Sequence, residues 1–219
     1  MIKENLNRIK NELPANVTLV AVSKTKPNEA ILEAYNAGQK DFGENYVQEL
    51  VDKNEQLPRD IQWHFIGHLQ SNKVKHIAPF VYLIHGIDSL KLLQEVNKQA
   101  QKNNRVINCL LQIYIAQEET KFGLSFEECE ILLNSPELKE LKNIKICGFM
   151  AMASNTDDEN QIRKEFRSLK EFHSKLSTLN SQLSILSFGM SSDYKIAIEE
   201  GSTMIRIGSI IFGERNYKQ

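Results

Sequence analysis

Residues 17–24, Val-Thr-Leu-Val-Ala-Val-Ser-Lys, decide the fold that this sequence predicts. Apolar residues, several of them β-branched, fill most of this run, and prolines at positions 14 and 27 bound it. Such a run is typical of a strand that is buried on both faces, as strands are in parallel sheets. The strand closes on Lys24, at the carboxyl end where α/β folds carry their chemistry.

Lys24 allows two interpretations. Partial desolvation at the end of a buried strand favours the neutral amine, which is a nucleophile towards aldehydes and can form a Schiff base, or imine. The alternative is a lysine that extends its ammonium group into solvent and has no chemical role, and this stretch alone favours that interpretation. The C-terminal part of the sequence bears on the choice.

Size and composition are those of an ordinary globular chain. The 219 residues suit one domain over 1–219, and a net charge of −1 makes no electrostatic case for nucleic acid or an anionic membrane. The three cysteines are far apart, which indicates a reducing compartment and disfavours a disulfide or zinc framework. We expect a cytoplasmic protein, because neither an apolar signal region nor a membrane-spanning stretch is visible.

Extended and helical patterns alternate along the chain, after an amphipathic helix over residues 2–13. Strands are predicted at 17–23, 41–45, 61–67, 80–87, 106–115, 144–150, 184–187 and 203–207. Helices are predicted at 29–37, 46–53, 71–77, 125–133, 157–179 and 194–200, with one from a cap at Asp88 or Ser89 to about residue 102 and a short one from Ser209.

This alternation with short connections predicts parallel βα units. An open doubly wound sheet and a closed barrel both fit the pattern. About eight such units in a chain of 219 residues favour a single (β/α)8 TIM-type barrel with an extra N-terminal helix.

Two loops near the C-terminus are candidates for binding a phosphate. Residues 189–193, Gly-Met-Ser-Ser-Asp, follow the seventh strand, and Gly208 and Ser209 follow the eighth. The loops after these two strands are the usual phosphate site of such barrels, and Ser191 adds a hydroxyl group. Ordinary Gly/Ser turns that cap helices are the alternative.

Arg206 lies inside the eighth strand between two isoleucines, and a buried arginine needs a partner or a wet cavity. If Lys24 and Arg206 both point into the barrel mouth, they flank the space for a flat, phosphorylated aldehyde. Pyridoxal 5′-phosphate fits, with an imine to Lys24, the ring nitrogen at Arg206 and the phosphate on Ser191 and the N–H groups of residues 208–209.

Six segments carry a family resemblance: LVAVSKTKP, FGENYVQE, WHFIGHLQSNK, HGIDS, GFMAM and FGMSSDYKIAIEEGSTMIRIGSIIFGER. On them the chain resembles the pyridoxal-phosphate homeostasis protein family and, more distantly, the N-terminal barrel of alanine racemase. The segments span nearly the whole chain in the expected order, so chance agreement is implausible.

The resemblance implies a single (β/α)8 barrel with pyridoxal phosphate on Lys24 and with Arg206 facing the pyridine nitrogen. By the same match the phosphate would be held by Ser191, Gly208 and Ser209. Asn45, in FGEN, would lie near the ring.

Three functions remain open: a carrier or regulator in the intracellular homeostasis of pyridoxal phosphate (vitamin B6), a racemase-like enzyme, or a barrel enzyme for a phosphorylated metabolite without cofactor. An arginine opposite the ring nitrogen disfavours its protonation and weakens the ring as an electron sink. Racemase-type barrels share this feature, yet they use acid–base groups on both substrate faces and a second β-rich domain. We expect no segment of this sequence to form such a domain. We therefore favour the carrier, with no catalytic residues, as a monomer whose partners include apoenzymes that require pyridoxal phosphate.

Two further patterns complete the candidates. His64 and His68 have HxxxH spacing, but Gly67 interrupts the helix that would align them, so we expect no metal site and place both histidines at the barrel mouth. Lys121, after the fifth strand, is either a second amine that receives the cofactor during transfer or a solvated loop lysine.

Overall fold

Eight parallel strands close into one barrel in a computed structural model that describes residues 1–117, 122–178 and 182–214. Each strand pairs with its neighbour in chain order, and the last strand pairs with the first. The strands are β1 (Thr18–Val22), β2 (Asp41–Glu44), β3 (Gln62–Phe65), β4 (Leu83–Ile87), β5 (Ile107–Gln112), β6 (Ile144–Met150), β7 (Ile185–Ser187) and β8 (Met204–Ile207). The predicted (β/α)8 barrel is confirmed.

Helices follow the strands and form the outer layer. They are α1 (Ile2–Glu12), α2 (Asn28–Asn36), α3 (Val47–Gln56), α4 (Val74–Ile77), α5 (Leu90–Lys102), α6 (Phe126–Asn134), α7 (Pro136–Lys139), α8 (Glu159–Ser177), α9 (Tyr194–Glu199) and α10 (Ser209–Phe212). The predicted extra N-terminal helix is α1, which packs against α2 and α10. None of the helices in the described ranges has the length and apolar character needed to cross a membrane.

Several predicted boundaries were wrong for local reasons. β4 begins at Leu83 rather than at residue 80, because the N–H groups of Phe80 and Val81 still bond to the carbonyl of Ile77. β5 ends at Gln112, after which Tyr114 bonds to Leu124 and leaves the barrel. The predicted helix at 157–179 begins at Glu159, and residue 179 lies outside the described residues.

The core has two parts, because successive side chains of a strand point to opposite faces. Leu19 and Ala21 of β1 belong to the layer between the strands and the helices. Val20 lies inside the barrel, in a cluster with Leu83, Leu110, Cys147, Met150 and Met204. The same alternation turns Val22 and then Lys24 towards the barrel mouth.

Gly148 of β6 lies where β6 and β7 approach each other closely. Its φ is +151°, and a Cβ at this position would overlap the backbone oxygen of Ile185. We expect Gly148→Ala to lower the free energy of unfolding by about 3 kcal/mol or more, because β7 must move and the backbone becomes strained. Urea denaturation followed by circular dichroism measures the loss.

Gly38→Ala is the matched control, since Gly38 also has a positive φ, +84°, but nothing lies within 4 Å of the added Cβ. It should cost about 1 kcal/mol from backbone strain alone. Equal losses in the two variants would contradict the close approach of the two strands.

Candidate functional site

A cavity of about 380 Å³ opens where β1, β2, β3, β6, β7 and β8 end. All six residues that the sequence predicted as cofactor-binding line it: Lys24, Asn45, Ser191, Arg206, Gly208 and Ser209. They come from opposite ends of the chain and meet because β8 pairs with β1, with Val20 beside Arg206. The cavity therefore combines an amine, a guanidinium group and two polar loops.

Lys24 is half-buried and lies in a tight turn at the end of β1. The N–H of Lys26 donates to the carbonyl oxygen of Ser23 over 3.0 Å, which closes a four-residue turn. The third residue of this turn, Thr25, has a φ of +63°. A β-branched residue in the left-handed region is a genuine outlier, so other contacts must hold this turn in place.

The two loops predicted to bind phosphate meet at the cavity. The N–H of Gly208 and the hydroxyl oxygen of Ser191 lie 3.4 Å apart, so both polar groups face the same space. Gly189 has a φ of +98°, and a Cβ there would lie 2.5 Å from the Cβ of Ala197, so glycine keeps this loop close to α9. The N–H of Met190 donates to Asp193 Oδ1 over 2.6 Å and fixes the turn between them.

Arg206 is only 4% exposed and is held by three hydrogen bonds to neutral oxygens. Its guanidinium donates to the carbonyl and hydroxyl oxygens of Ser187, each over 2.7 Å, and to the carbonyl oxygen of Ala151 over 3.1 Å. Burial lowers the pKa of Arg206 to about 10, against an opposing effect of Asp193. The group stays positively charged at neutral pH and presents that charge to the cavity.

A chain of polar side chains crosses the barrel interior and ends on Arg206. Asp41 Oδ1 lies 3.0 Å from His64 Nε2, and His64 Nδ1 lies 2.9 Å from His85 Nε2. His85 Nδ1 lies 3.1 Å from the hydroxyl oxygen of Ser187, which also accepts from Arg206. Both histidines are fully buried, so the expected place of His64 at the barrel mouth was wrong.

The direction of each hydrogen bond in this chain follows from its two ends, because a carboxylate only accepts and a guanidinium only donates. We assign Ser187 as acceptor from Arg206 and as donor to His85 Nδ1, and His85 as donor to His64, whose Nε2–H donates to Asp41. This assignment needs a neutral His85, and burial together with His64 and Arg206 lowers the pKa of His85 well below its ordinary value. These hydrogen-bonded side chains therefore hold Arg206 in position from the barrel interior.

A second buried polar cluster lies on the outer face of β1 and β2, against α3. Lys53 Nζ donates to Glu44 Oε1 over 2.8 Å, to Glu49 Oε1 over 2.6 Å and to the carbonyl oxygen of Ser23 over 2.8 Å. The hydroxyl of Ser23 donates to Glu44 over 2.5 Å. Burial raises the pKa of Glu44 to about 7, although Lys53 and Ser23 oppose the shift.

His68, the second histidine of the HxxxH pattern, does not line the cavity. His68 is exposed, stacks on Phe122 with ring centroids 5.2 Å apart and lies 3.7 Å from Asp88. Within the described ranges no group of three or more His, Cys, Asp or Glu side chains is arranged to hold a metal ion. Lys121 lies outside the described residues.

Sequence reasoning missed Lys26, a second lysine that lines the cavity. Its Nζ donates to the carbonyl oxygens of Phe212, Gly213 and Glu214 over 3.0–3.1 Å, so it holds the end of α10 against β1. Sequence reasoning also missed Ile66 in the cavity wall. The sequence signal that could have identified Lys26 was its position two residues after Lys24.

Comparison with known proteins defines the class of this barrel: the model of the alanine racemase N-terminal domain matches residues 1–216. The pyridoxal phosphate homeostasis protein of Aquifex aeolicus is 44% identical over 201 residues, which cover 91% of this chain and 87% of that protein. Its counterpart in Haemophilus influenzae is 40% identical and covers 99% of this chain and 97% of that protein. The chain belongs to the pyridoxal phosphate homeostasis protein family, as its sequence segments predicted.

Solved structures agree with this assignment. PipY of Synechococcus elongatus, with PLP bound, is 36% identical with a TM-score of 0.88 and covers 97% of this chain and 100% of that one. Alanine racemase of Clostridium difficile is 17% identical with a TM-score of 0.80 and covers 99% of this chain and 57% of the racemase. The likeness to the racemase concerns the fold alone.

The pH dependence of stability tests the two buried titratable groups. The pKa of folded Glu44, about 7, lies above the ordinary value of 4.5, so this group stabilises the fold as pH falls. The pKa of folded His85 lies below the ordinary 6.5, so this group destabilises the fold as pH falls. Between pH 6.5 and 5 the two effects oppose each other.

We expect Glu44→Gln to remove the stabilisation that Glu44 contributes as pH falls. Relative to the parent protein, its free energy of unfolding should fall by about 1.5 kcal/mol between pH 6.5 and pH 5. His85→Gln should show a rise instead. Urea denaturation at several pH values measures both, and parallel pH profiles for all three proteins would contradict the assigned pKa shifts.

Proposed function

We propose that this protein binds pyridoxal 5′-phosphate as an imine on Lys24 and keeps this cofactor available as a carrier or regulator, without substantial catalysis. The observation that carries the proposal is the single cavity that brings together Lys24, Arg206 and the loops at Ser191 and Gly208. Support also comes from the family and from PipY, which is described with PLP bound.

Two features of the cavity fit this cofactor. Asn45 lines the cavity, and its Oδ1 is buried without a hydrogen-bond partner among the described residues, so a polar ligand atom or a ligand-borne water would satisfy it. The hydrogen bond of 3.4 Å between Gly208 and Ser191 is longer than usual, so both groups can turn to phosphate oxygens at little cost.

Each residue has a distinct task in this proposal. Lys24 would hold the cofactor through an imine, since its neutral amine is a nucleophile towards the aldehyde and the aldehyde oxygen would leave as water. Ser191, Gly208 and Ser209 would hold the phosphate, and Arg206 would face the ring nitrogen. The bound cofactor supplies an aldehyde and an electron-withdrawing ring.

A carrier is favoured over a racemase because the described residues that line the cavity include no carboxyl, imidazole or phenol group to act as a second acid or base. The charge on Arg206, a feature that racemase-type barrels share, adds that a bound cofactor would be a weak electron sink. Ser187 and Ala151 hold the guanidinium through neutral oxygens, so its positive charge is not neutralised by these contacts. A nearby positive charge disfavours protonation of the ring nitrogen and weakens electron withdrawal. Imine formation is reversible, so we further propose that apoenzymes take up the cofactor from this protein. We also propose that the protein is a cytoplasmic monomer.

Lys24→Ala tests the imine. The purified parent protein with added pyridoxal phosphate should show an absorbance band near the visible edge that bleaches with borohydride, and peptide mapping should place the pyridoxyl adduct on Lys24. The variant should show neither the band nor the adduct, because the amine is gone.

Lys26→Met is the matched control, since Lys26 lines the same cavity but is engaged by three carbonyl oxygens. It should keep the adduct on Lys24. A parent protein that takes up no cofactor, or one labelled on Lys26 instead, would refute the proposal.

An activity assay separates the carrier from the racemase. With a panel of L-amino acids we expect the loaded protein to show turnover far below the roughly 1 s⁻¹ at the low end of typical enzymes. Chiral chromatography of the products measures it, with a known racemase as the positive control. Turnover at ordinary enzyme rates would decide for the racemase-like alternative.

A further inference from the structure

We infer that Glu44, Glu49 and Lys53 form a clamp that positions Lys24 for imine formation by holding the peptide groups on both sides of it. This α3 clamp, as we call these three residues, lies behind β1 and does not line the cavity. Its members are therefore positioning residues that act through Lys24. The inference rests on the proposed imine at Lys24.

The clamp contacts the peptide group before Lys24. The carbonyl oxygen of Ser23 accepts from Lys53 Nζ over 2.8 Å, in addition to closing the turn with the N–H of Lys26. The hydroxyl of the same Ser23 donates to Glu44. Since a peptide group is planar, these contacts fix the plane on which φ of Lys24 depends.

The clamp also contacts the peptide group after Lys24. The N–H of Thr25 donates to Glu49 Oε1 over 2.6 Å, a short bond to a charged acceptor. This bond fixes the plane on which ψ of Lys24 depends. With both planes held, the direction of the Cα–Cβ bond of Lys24 is set by the clamp.

The conformation of Thr25 shows why such a clamp is needed. Thr25 is exposed and has a φ of +63°, at the turn position that usually belongs to glycine or asparagine when φ is positive. A threonine does not favour this conformation by itself. Because Thr25 is not packed in the core, its bond to Glu49 is the contact that best accounts for the persistence of the turn.

The clamp is internally paired, and two of its three members are buried. Lys53 is 5% exposed and Glu44 is 0% exposed, and Lys53 Nζ lies within hydrogen-bond distance of both carboxylates. The clamp joins β1, β2 and α3, so the turn at Lys24 is anchored to the outer layer of the barrel. An arrangement of this kind orients an amine without touching the ligand.

Glu49→Ala tests the clamp, with two probes. The first probe is pyridoxal phosphate, for which the rate of imine formation on Lys24 is followed by absorbance and confirmed by borohydride labelling. The second is pyridoxamine phosphate, which shares the ring and phosphate but has no aldehyde, so its affinity reports the cavity without the imine.

We expect Glu49→Ala to slow imine formation at least tenfold while the affinity for pyridoxamine phosphate changes less than threefold. Glu49→Gln keeps an oxygen that accepts from Thr25 and should recover most of the rate. Asp52→Ala is the matched control on the same helix, because the side chain of Asp52 pairs with Gln48 over 2.8 Å, and it should behave as the parent protein.

The possible failures are distinguishable. If the parent protein forms no adduct on Lys24, the proposed function itself fails. If the parent protein forms the adduct and Glu49→Ala forms it at the same rate, only the clamp is refuted. If Glu49→Ala loses affinity for both probes together, Glu49 has a general structural role, and the positioning role is overturned.

Discussion

The site depends on the pairing of β8 with β1, which closes the barrel. Val20 lies beside Arg206 in this pairing, and Ala21 lies beside Ile207. Because side chains alternate along a strand, the same pairing turns Lys24 and Arg206 towards one mouth. A sheet left open at this edge would separate the amine, the guanidinium group and the loop at Gly208. The other features of the site therefore depend on barrel closure.

Closure of the barrel also buries the guanidinium of Arg206, whose donors are then satisfied by interior residues. A buried guanidinium is costly unless its donors are satisfied, and part of the barrel interior is the apolar cluster around Val20. Ser187 and Ala151 supply oxygens, and the two histidines carry the hydrogen bonding onward to Asp41. On the outer face, the α3 clamp does the corresponding work for the turn at Lys24. The two polar clusters therefore orient Arg206 and Lys24 from opposite sides of the strands.

Site features that depend on residues close together in the sequence could be predicted, whereas features that depend on contacts between distant residues could not. Lys24, Ser191 and Gly208 were accessible because a buried run, a glycine and a hydroxyl stand next to strand ends, which is information local in sequence. The pairing of His64 with His85 was not accessible, because the HxxxH spacing pointed to His68 instead. The clamp was equally hidden, since nothing local connects Lys53 with the carbonyl oxygen of Ser23.

The sequence by itself determined the alternation of strands and helices, the likeness to a family and the identity of the candidate binding residues. These follow from apolar periodicity and from short segments read in order. Only the tertiary structure decided that all six candidates share one cavity, which polar groups hold Arg206 and which hold the turn at Lys24. The physical reason is that hydrogen bonds between distant strands depend on barrel closure and register, which no local pattern encodes.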